Sequence, residues 1–383
     1  MNKPTVQDIF LRFYPAYLEK HSPSAEQAKV SRNIMNCKTG AYGANVSVCE
    51  DCGAVQIHYN SCRNRCCPMC QAVPKEMWMD ARREDVLDAP YFHLVFTVPD
   101  ILNPIIYNNQ KLLYDILYHA ASATISELTA DPKHLGADVG YICILHTWGS
   151  EMNFHPHIHT ILLGGGLTSK NEWKDNGTEF FLPIRAVFKS FRGKYIDELK
   201  HLWNTGQLEF HGTAEKYRNY YVFKDLLDSC YDTEWIPYCK KTFNGAGSVI
   251  DYLGKYTHRI AISNHRIICM DDENVTFSVK DYRNKGQWKE LTLSGVEFIR
   301  RFLMHVPPKR FVRIRHYGLL CSRSKHKKLT LCRNLLGCQK YLSKLRGKEM
   351  PEILKQLYEI NICVCKSCGG HLGKPQFRIP QRC

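Results

Sequence analysis

The pentapeptide His155-Pro156-His157-Ile158-His159 has the residue types and spacing for metal chemistry. On a β-strand, side chains two positions apart point to one face, so His157 and His159 stand side by side while Ile158 points into the core. Two imidazoles so placed grip one ion and leave positions open on it, as a Lewis acid needs for polarising a phosphate oxygen. A third ligand is required. If the preceding hairpin turns near residue 152, His146 falls roughly opposite His157 or His159 and is the first choice, with His155, His93 and Glu151 as fallbacks. Imidazoles alone do not fix the metal, but phosphoryl transfer commonly uses Mg²⁺ or Mn²⁺ with substrate oxygens completing the shell.

A second constellation lies in Ser248-Val249-Ile250-Asp251-Tyr252-Leu253-Gly254-Lys255-Tyr256. On a helix Tyr252 and Tyr256 are one turn apart and share a face, so both phenols are offered to one place. A phenol is a poor nucleophile at its ordinary pKa of about 10, but a nearby cation favours the phenolate, which then attacks phosphorus and leaves a covalent phosphotyrosine. Among 21 tyrosines a YxxxY alone reads as core packing; beside a His-x-His metal site it reads as chemistry. Lys255, His258 and Arg259 follow closely enough to position or neutralise the phosphate.

The chain has 18 cysteines in 383 residues. A disulfide framework belongs to small secreted proteins, whereas this chain is long and spaces cysteines as CxxC pairs, so metal is the better reading. Cys49-Glu50-Asp51-Cys52 and Cys67-Pro68-Met69-Cys70 form two knuckles that suit one tetrahedral, structural Zn²⁺ with no open position. Cys62 and Cys66 lie between them and Cys37 precedes them, so a ligand swap or a second ion stays open. Arg63 and Arg65 make this loop basic, which suits DNA. Near the other end, Cys365-Lys366-Ser367-Cys368 is a lone knuckle with Cys363, His371 and Cys383 nearby; a zinc site there, also drawing on Cys321, Cys332 or Cys338, is balanced against unbound thiols.

Lys+Arg 52 against Asp+Glu 37 gives a formal charge of +15, which argues for a polyanionic partner. Residues 301–348 hold fourteen Lys or Arg and no Asp or Glu. Such a run repels itself unless an anion lies against it, so Lys309, Arg310, Arg313, Arg315, Lys325, Lys327 and Lys328 are read as phosphate contacts, independent of base sequence. No stretch approaches the apolar length of a spanning helix and MNKPTVQDIF lacks a signal-peptide core, so a cytoplasmic, nucleoid-associated protein is expected.

The elements that must hold these groups follow from periodicity. Residues 5–35 read as helix, 91–99 as a strand stopped by Pro99, and 105–130 as an amphipathic helix. YICILHTW and HIHTILL read as a hairpin ending in Gly164–Gly166, followed by helices near 186–204 and 247–258, the latter with Ser248 as N-cap. VTFSVKDY and QWKELTL flank a turn at Arg283–Gly286, a helix covers 294–305, and FVRIRHYG is a further strand. No internal repeat and no helicase P-loop are present.

With these residues in view, the chain resembles the HUH superfamily of single-strand DNA endonucleases, specifically the two-tyrosine rolling-circle transposases of bacterial insertion sequences with an N-terminal zinc-binding domain. The resemblance runs through SCRNRCCPMC (61–70), HLVFTVP (93–99), HTWGS with HPHIH (146–159), YLGKYTHRIAISNHRI (252–267) and EFIRRFLMHVPPKRFVRIRHYG (297–318). One departure is visible: where such transposases often read RHCPxC, this chain has Arg65-Cys66-Cys67-Pro68, which keeps a ligand type but unsettles the zinc set.

The resemblance implies an α+β fold with a central antiparallel sheet, flanking helices, the His pair on a central strand and the tyrosines on a helix nearby. It implies three regions: 1–85, helix plus zinc-binding DNA-binding domain; 88–268, catalytic; and 269–383, basic and DNA-binding. It implies that one tyrosine, Tyr252 or Tyr256, cleaves single-stranded or extruded DNA at an element end, keeps the 5′ phosphate and frees a 3′ hydroxyl, with no nucleotide cofactor. A plasmid replication initiator or conjugative relaxase shares this chemistry. A zinc-dependent, non-catalytic DNA-binding regulator explains the cysteines and the basic run but leaves HPHIH and YLGKY idle.

Overall fold

The computed structural model describes residues 3–177, 182–233, 235, 238–241, 249–250, 254, 260–281, 286–373, 375 and 377–379. The chain begins with α1 (Val6–Lys20) and α2 (Ala25–Met35), then the hairpin β1 (Ala44–Val48) and β2 (Val55–Tyr59), and α3 (Ala72–Arg83). Next come β3 (Tyr91–Thr97), α4 (Asn103–Asn108), α5 (Gln110–Ala130), β4 (Asp138–Trp148), β5 (Phe154–Leu167) and β6 (Trp173–Asp175). After α6 (Ile184–Asn204), α7 (Tyr220–Asp232) and β7 (Tyr238–Lys241) follow β8 (Ile267–Met270), β9 (Asn274–Asp281), β10 (Gln287–Ser294) and α8 (Gly295–Met304). The chain continues through β11 (Ile314–Gly318), α9 (Lys325–Leu336), α10 (Met350–Tyr358) and β12 (Phe377–Ile379).

The expected α+β architecture is present. A six-stranded antiparallel sheet runs β11-β4-β5-β3-β7, with β6 added to β5. Alternation sorts its residues. Phe92, Leu94, Phe96, Tyr141, Cys143, Leu145, Ile158 and Leu162 face one way, into a core completed by α5 and α6. Tyr91, Ile142, Ile144, Ile161 and Leu163 face the other way, against Met79 of α3, Leu329 and Cys332 of α9, and Val249 and Ile250. A sheet buried on both faces explains why β4 and β5 read as nearly continuous apolar runs.

A third core joins the two ends of the sequence. Phe10 of α1 meets Phe302 of α8 edge-on at 5.3 Å, and both pack on Phe277 and Val279 of the separate sheet β10-β9-β8. The helix expected over 5–35 is two helices. His21 ends the first, and Ser24 caps the second in a capping box with Gln27. Pro23 disfavours helix at Ser22, which forces the break.

Strand β11, from the basic region, is an edge of the central sheet, and β12 pairs with β1. Ser248 and the turn 282–285 lie outside the described residues, whereas Val249 and Ile250 are helical and β9 pairs with β10 as expected. No helix among the described residues is long and apolar enough to cross a membrane.

Candidate active site and metal-binding clusters

Strand register sets the site. His146 on β4 lies directly opposite His157 on β5, and His159 lies opposite Ile144 on one side and Val95 on the other, so all three rings share one face. Their ligand nitrogens lie within 4.8 Å of one another. The hairpin turns where expected, with Met152 at φ 58° and a register shift between His146 and Trp148. Such irregularities re-aim side chains beside functional sites.

Hydrogen bonds fix the ring orientations. His157 donates its Nδ1–H to the His155 carbonyl at 2.6 Å, which leaves Nε2 with its lone pair free. His159 Nδ1 lies 2.8 Å from His93 Nε2, and its Nε2 lies 3.1 Å from His157 Nε2. With Nδ1–H donated to His93, both Nε2 lone pairs converge, an arrangement that a cation between them relieves. Burial lowers the His157 pKa to about 3 and holds His159 well below its ordinary value, so both rings are neutral, the ligating form. The three imidazoles therefore fit a divalent ion. Of the fallback ligands, His93 stands behind His159, His155 turns to Asp100 at 3.0 Å, and Glu151 pairs with Lys289 at 3.3 Å.

Sequence reasoning missed the groups that brace this hairpin. Trp148 stacks on His146 with centroids 4.6 Å apart, and the Arg313 guanidinium lies over Trp148 at 5.3 Å. Arg266 donates to the Ser150 carbonyl at 2.6 Å, Arg301 to Glu151 at 3.0 Å, and buried His305 donates Nε2–H to Met152 at 3.0 Å. These partners are over a hundred residues away, so no local pattern announces them.

Tyr252, Tyr256, Lys255 and Arg259 lie outside the described residues. Their described neighbours Val249 and Ile250 are buried against Ile142, Ile144 and Ile161, on the sheet face that carries the histidines. Gly254 is closed in by Met79, leaving no room for a Cβ.

The cysteines form two clusters of four: Cys37, Cys62, Cys67 and Cys70, and Cys49, Cys52, Cys365 and Cys368. The expected set of Cys49 and Cys52 with Cys67 and Cys70 is not brought together. Cys49 and Cys52 occupy the turn of the β1–β2 hairpin, while Cys37 and Cys62 flank its base. Five-residue strands separate these ends by about 14 Å. In the first cluster Cys62 Sγ lies 3.8 Å from Cys70 Sγ, and hydrogen bonding from Cys62 lowers the Cys37 thiol to about 7. Cys66 is not a member; it is buried in the core around α1, and burial pushes its thiol up to about 11.

The basic run is not bare. Arg315 pairs with Asp115, Lys325 with Asp85 at 2.9 Å and Lys328 with Asp138 at 2.6 Å, so three nominated phosphate contacts have protein partners. Arg65 donates to the carbonyls of Phe311 and Pro308 at 2.5 and 3.2 Å. Arg63 is exposed at φ 54°. Among the described residues Lys309, Arg310 and Lys327 make no ion pair.

Residues 9–98 match the family described as "Transposase zinc-binding domain", and residues 140–328 match "Putative transposase". The chain is 41% identical over 336 residues to "Putative transposase y4qJ" of Sinorhizobium fredii, covering 87% of this chain and 84% of that one. It is 28% identical over 344 residues to "Transposase for insertion sequence element IS801" of Pseudomonas savastanoi pv. phaseolicola, covering 84% and 81%. Among solved structures it is similar to conjugative relaxase TrwC in complex with oriT DNA. The metal-bound form is 14% identical with a TM-score of 0.25, over 52% of this chain and 69% of that chain. The metal-free form is 16% identical with a TM-score of 0.24, over 29% and 44%.

Proposed function

This chain belongs to the two-tyrosine transposases of bacterial insertion sequences that carry an N-terminal zinc-binding domain, and from that membership we propose that it nicks and rejoins single-stranded DNA through 5′-phosphotyrosine intermediates. The observation that carries the reading is the convergence of three buried imidazoles on one sheet face, with the chain entering the YLGKY segment packed on that face.

His146, His157 and His159 would hold a Mg²⁺ or Mn²⁺ ion. When bound, that ion supplies charge to polarise the scissile phosphate and to stabilise negative charge developing on it. The protein's own groups do the rest. His93 and the His155 carbonyl accept the two Nδ1 protons and hold the rings with Nε2 forward. Trp148 keeps the His146 ring in plane contact and shields it from water. Tyr252 or Tyr256 attacks phosphorus, taking the 5′ phosphate as an ester while the 3′ oxygen leaves and takes up a proton. The second phenol serves the second cleavage, and a 3′ hydroxyl resolves each ester, so no nucleotide is consumed. Cys37, Cys62, Cys67 and Cys70 would hold a structural Zn²⁺ under α1 and α2. Lys309, Arg310 and Lys327 are the proposed phosphate contacts of the basic run.

Covalent capture tests this. Protein, Mn²⁺ and a single-stranded oligonucleotide spanning the element's end, labelled on the 3′ side of the nick, should give an adduct that survives denaturation. The adduct should vanish in the double variant Tyr252→Phe/Tyr256→Phe. DNA that is retained and never attached would leave only the binding-regulator reading.

A further inference from the structure

We propose that Cys49, Cys52, Cys365 and Cys368 bind a second structural zinc ion, and that this ion clasps the C-terminal segment onto the N-terminal hairpin. The C-terminal knuckle lies outside both matched family segments, 9–98 and 140–328.

Sulfur geometry comes first. Cys49 Sγ lies 3.6 Å from Cys368 Sγ, and Cys52 Sγ lies 3.7 Å from Cys365 Sγ. A tetrahedron with Zn–S bonds of about 2.3 Å has sulfur–sulfur edges of about 3.8 Å. A disulfide needs about 2.05 Å, so these are ligand spacings rather than bonds.

The two knuckles are also built alike. Each reads C-x-x-C-G, as Cys49-Glu50-Asp51-Cys52-Gly53 and Cys365-Lys366-Ser367-Cys368-Gly369. In the first, Gly53 donates its N–H to the Cys49 carbonyl at 2.9 Å and Cys49 donates to Ala54 at 3.0 Å. In the second, Gly369 donates to Cys365 at 2.9 Å and Cys365 donates to Gly370 at 2.8 Å. Gly53 and Gly369 take the same left-handed conformation, φ 70° and 77°, which a residue with a Cβ adopts at a cost. Such turns aim backbone N–H groups at sulfur, and Gly370 donates to Cys368 Sγ at 3.4 Å. Two equivalent half-sites therefore face each other across the interface, with Gly370 so close to Asp51 that a Cβ would collide with its carboxylate.

Apolar packing does not account for the contact. Its buried residues are Cys49, Cys365 and Leu372, with Ala54 alongside, and two of those three are the ligands themselves. The neighbouring β12 adds a pairing of three residues to β1. So small a patch does not offset the entropy of ordering the segment that carries it, whereas a thiolate-bound zinc supplies folding free energy directly. Four soft thiolates leave no open position, so the ion is structural. Because each half-site supplies two ligands from over three hundred residues away, the ion binds only with both ends of the sequence in place.

The test counts metal in the full-length protein. Mass spectrometry of native protein and elemental analysis should give two zinc ions per chain. The double variant Cys365→Ser/Cys368→Ser should give one, and Cys62→Ser/Cys70→Ser should also give one. In the first variant, hydrogen exchange should speed up in 44–48 and 377–379, with protection kept in β3 and β5, which shows that the rest is folded. Cobalt substitution should give a thiolate charge-transfer band that falls by about half in each variant. One zinc in the unmodified protein, two in Cys365→Ser/Cys368→Ser, or none in both variants would overturn the assignment of two independent ions.

Discussion

His93→Phe separates the metal-binding role of the histidines from their mere burial. His93 is 3% exposed, touches His159 Nδ1 through Nε2 at 2.8 Å, and lies nearly parallel to that ring, at an interplanar angle of 10°. Phenylalanine fills the space but accepts no proton. His159 must then either bury its Nδ1–H unpaired, which costs about 1–3 kcal/mol, or move the proton to Nε2 and aim it at the ion. Either route weakens the metal, and losing a group behind a ligating histidine typically lowers affinity about 10–100-fold, or about 1.4–2.8 kcal/mol. The assay is cleavage of a single-stranded oligonucleotide across a Mn²⁺ titration, with direct metal binding measured alongside. The half-saturating Mn²⁺ concentration should rise by about that factor while the plateau rate returns to nearly the unmodified value. An unchanged midpoint, or a plateau lost with metal affinity intact, would refute the role given to His93.

Three further outcomes follow from the same structure. His157→Ala and His159→Ala should abolish cleavage at every Mn²⁺ concentration yet leave gel-shift retention of DNA, because phosphate contacts elsewhere supply the affinity; normal nicking by either variant contradicts the metal assignment. Replacing Lys309 and Arg310 by Ala should reduce the slope of log K against log salt by about 0.7 per single-strand phosphate contact, whereas Lys325→Ala and Lys328→Ala should lower stability and leave the slope unchanged. Glu297, hydrogen-bonded by Arg300 and then Arg301, has its carboxyl held down to about 2. A depressed carboxyl stabilises fully above its unfolded pKa of about 4.3, and that contribution disappears as pH falls from there towards about 2. Glu297→Gln should therefore cost more stability in urea unfolding at pH 6 than at pH 2, and an equal loss at both would remove the ion pair from the explanation.

What was readable in the sequence was what is local. His157 and His159 share a face because of strand period alone, and placing the turn near 152 was enough to put His146 opposite His157. The Pro23 break between α1 and α2 was equally local, since Ser24 and Gln27 spell a capping box, but an unbroken apolar period across 5–35 hides it. The cysteine sets were harder, because a hairpin sends neighbouring ligands to opposite ends. A signal was nevertheless present: glycine follows Cys52 and Cys368 but not Cys70, so the two knuckles of one build are the pair that meets. The bracing of the active hairpin by Arg266, Arg301 and His305 left no such trace, because a single donor to a distant carbonyl has no pattern.

The carboxylate-free run from 301 to 348 shows how far a local charge count misleads. Its counter-charges come from other segments. Asp85 lies just beyond α3, Asp115 on α5 and Asp138 at the head of β4, and each takes one cation of the run. Glu84 adds Arg346 at 2.7 Å. Lys328 ties α9 to the central sheet, Lys325 ties it to the end of α3, and Arg315 ties β11 to α5, so part of the run holds the fold together. Lys111, Lys309 and Arg310 line one hollow together with Asp115, Phe311, Val312 and Arg315, and this is where the proposed phosphate contacts of the run gather. Arg65 anchors that same loop through the carbonyls of Pro308 and Phe311. The cysteine-rich loop thus fixes the backbone of residues 308–311, and losing the first cysteine cluster should loosen the proposed phosphate contacts there without removing a single charge from them.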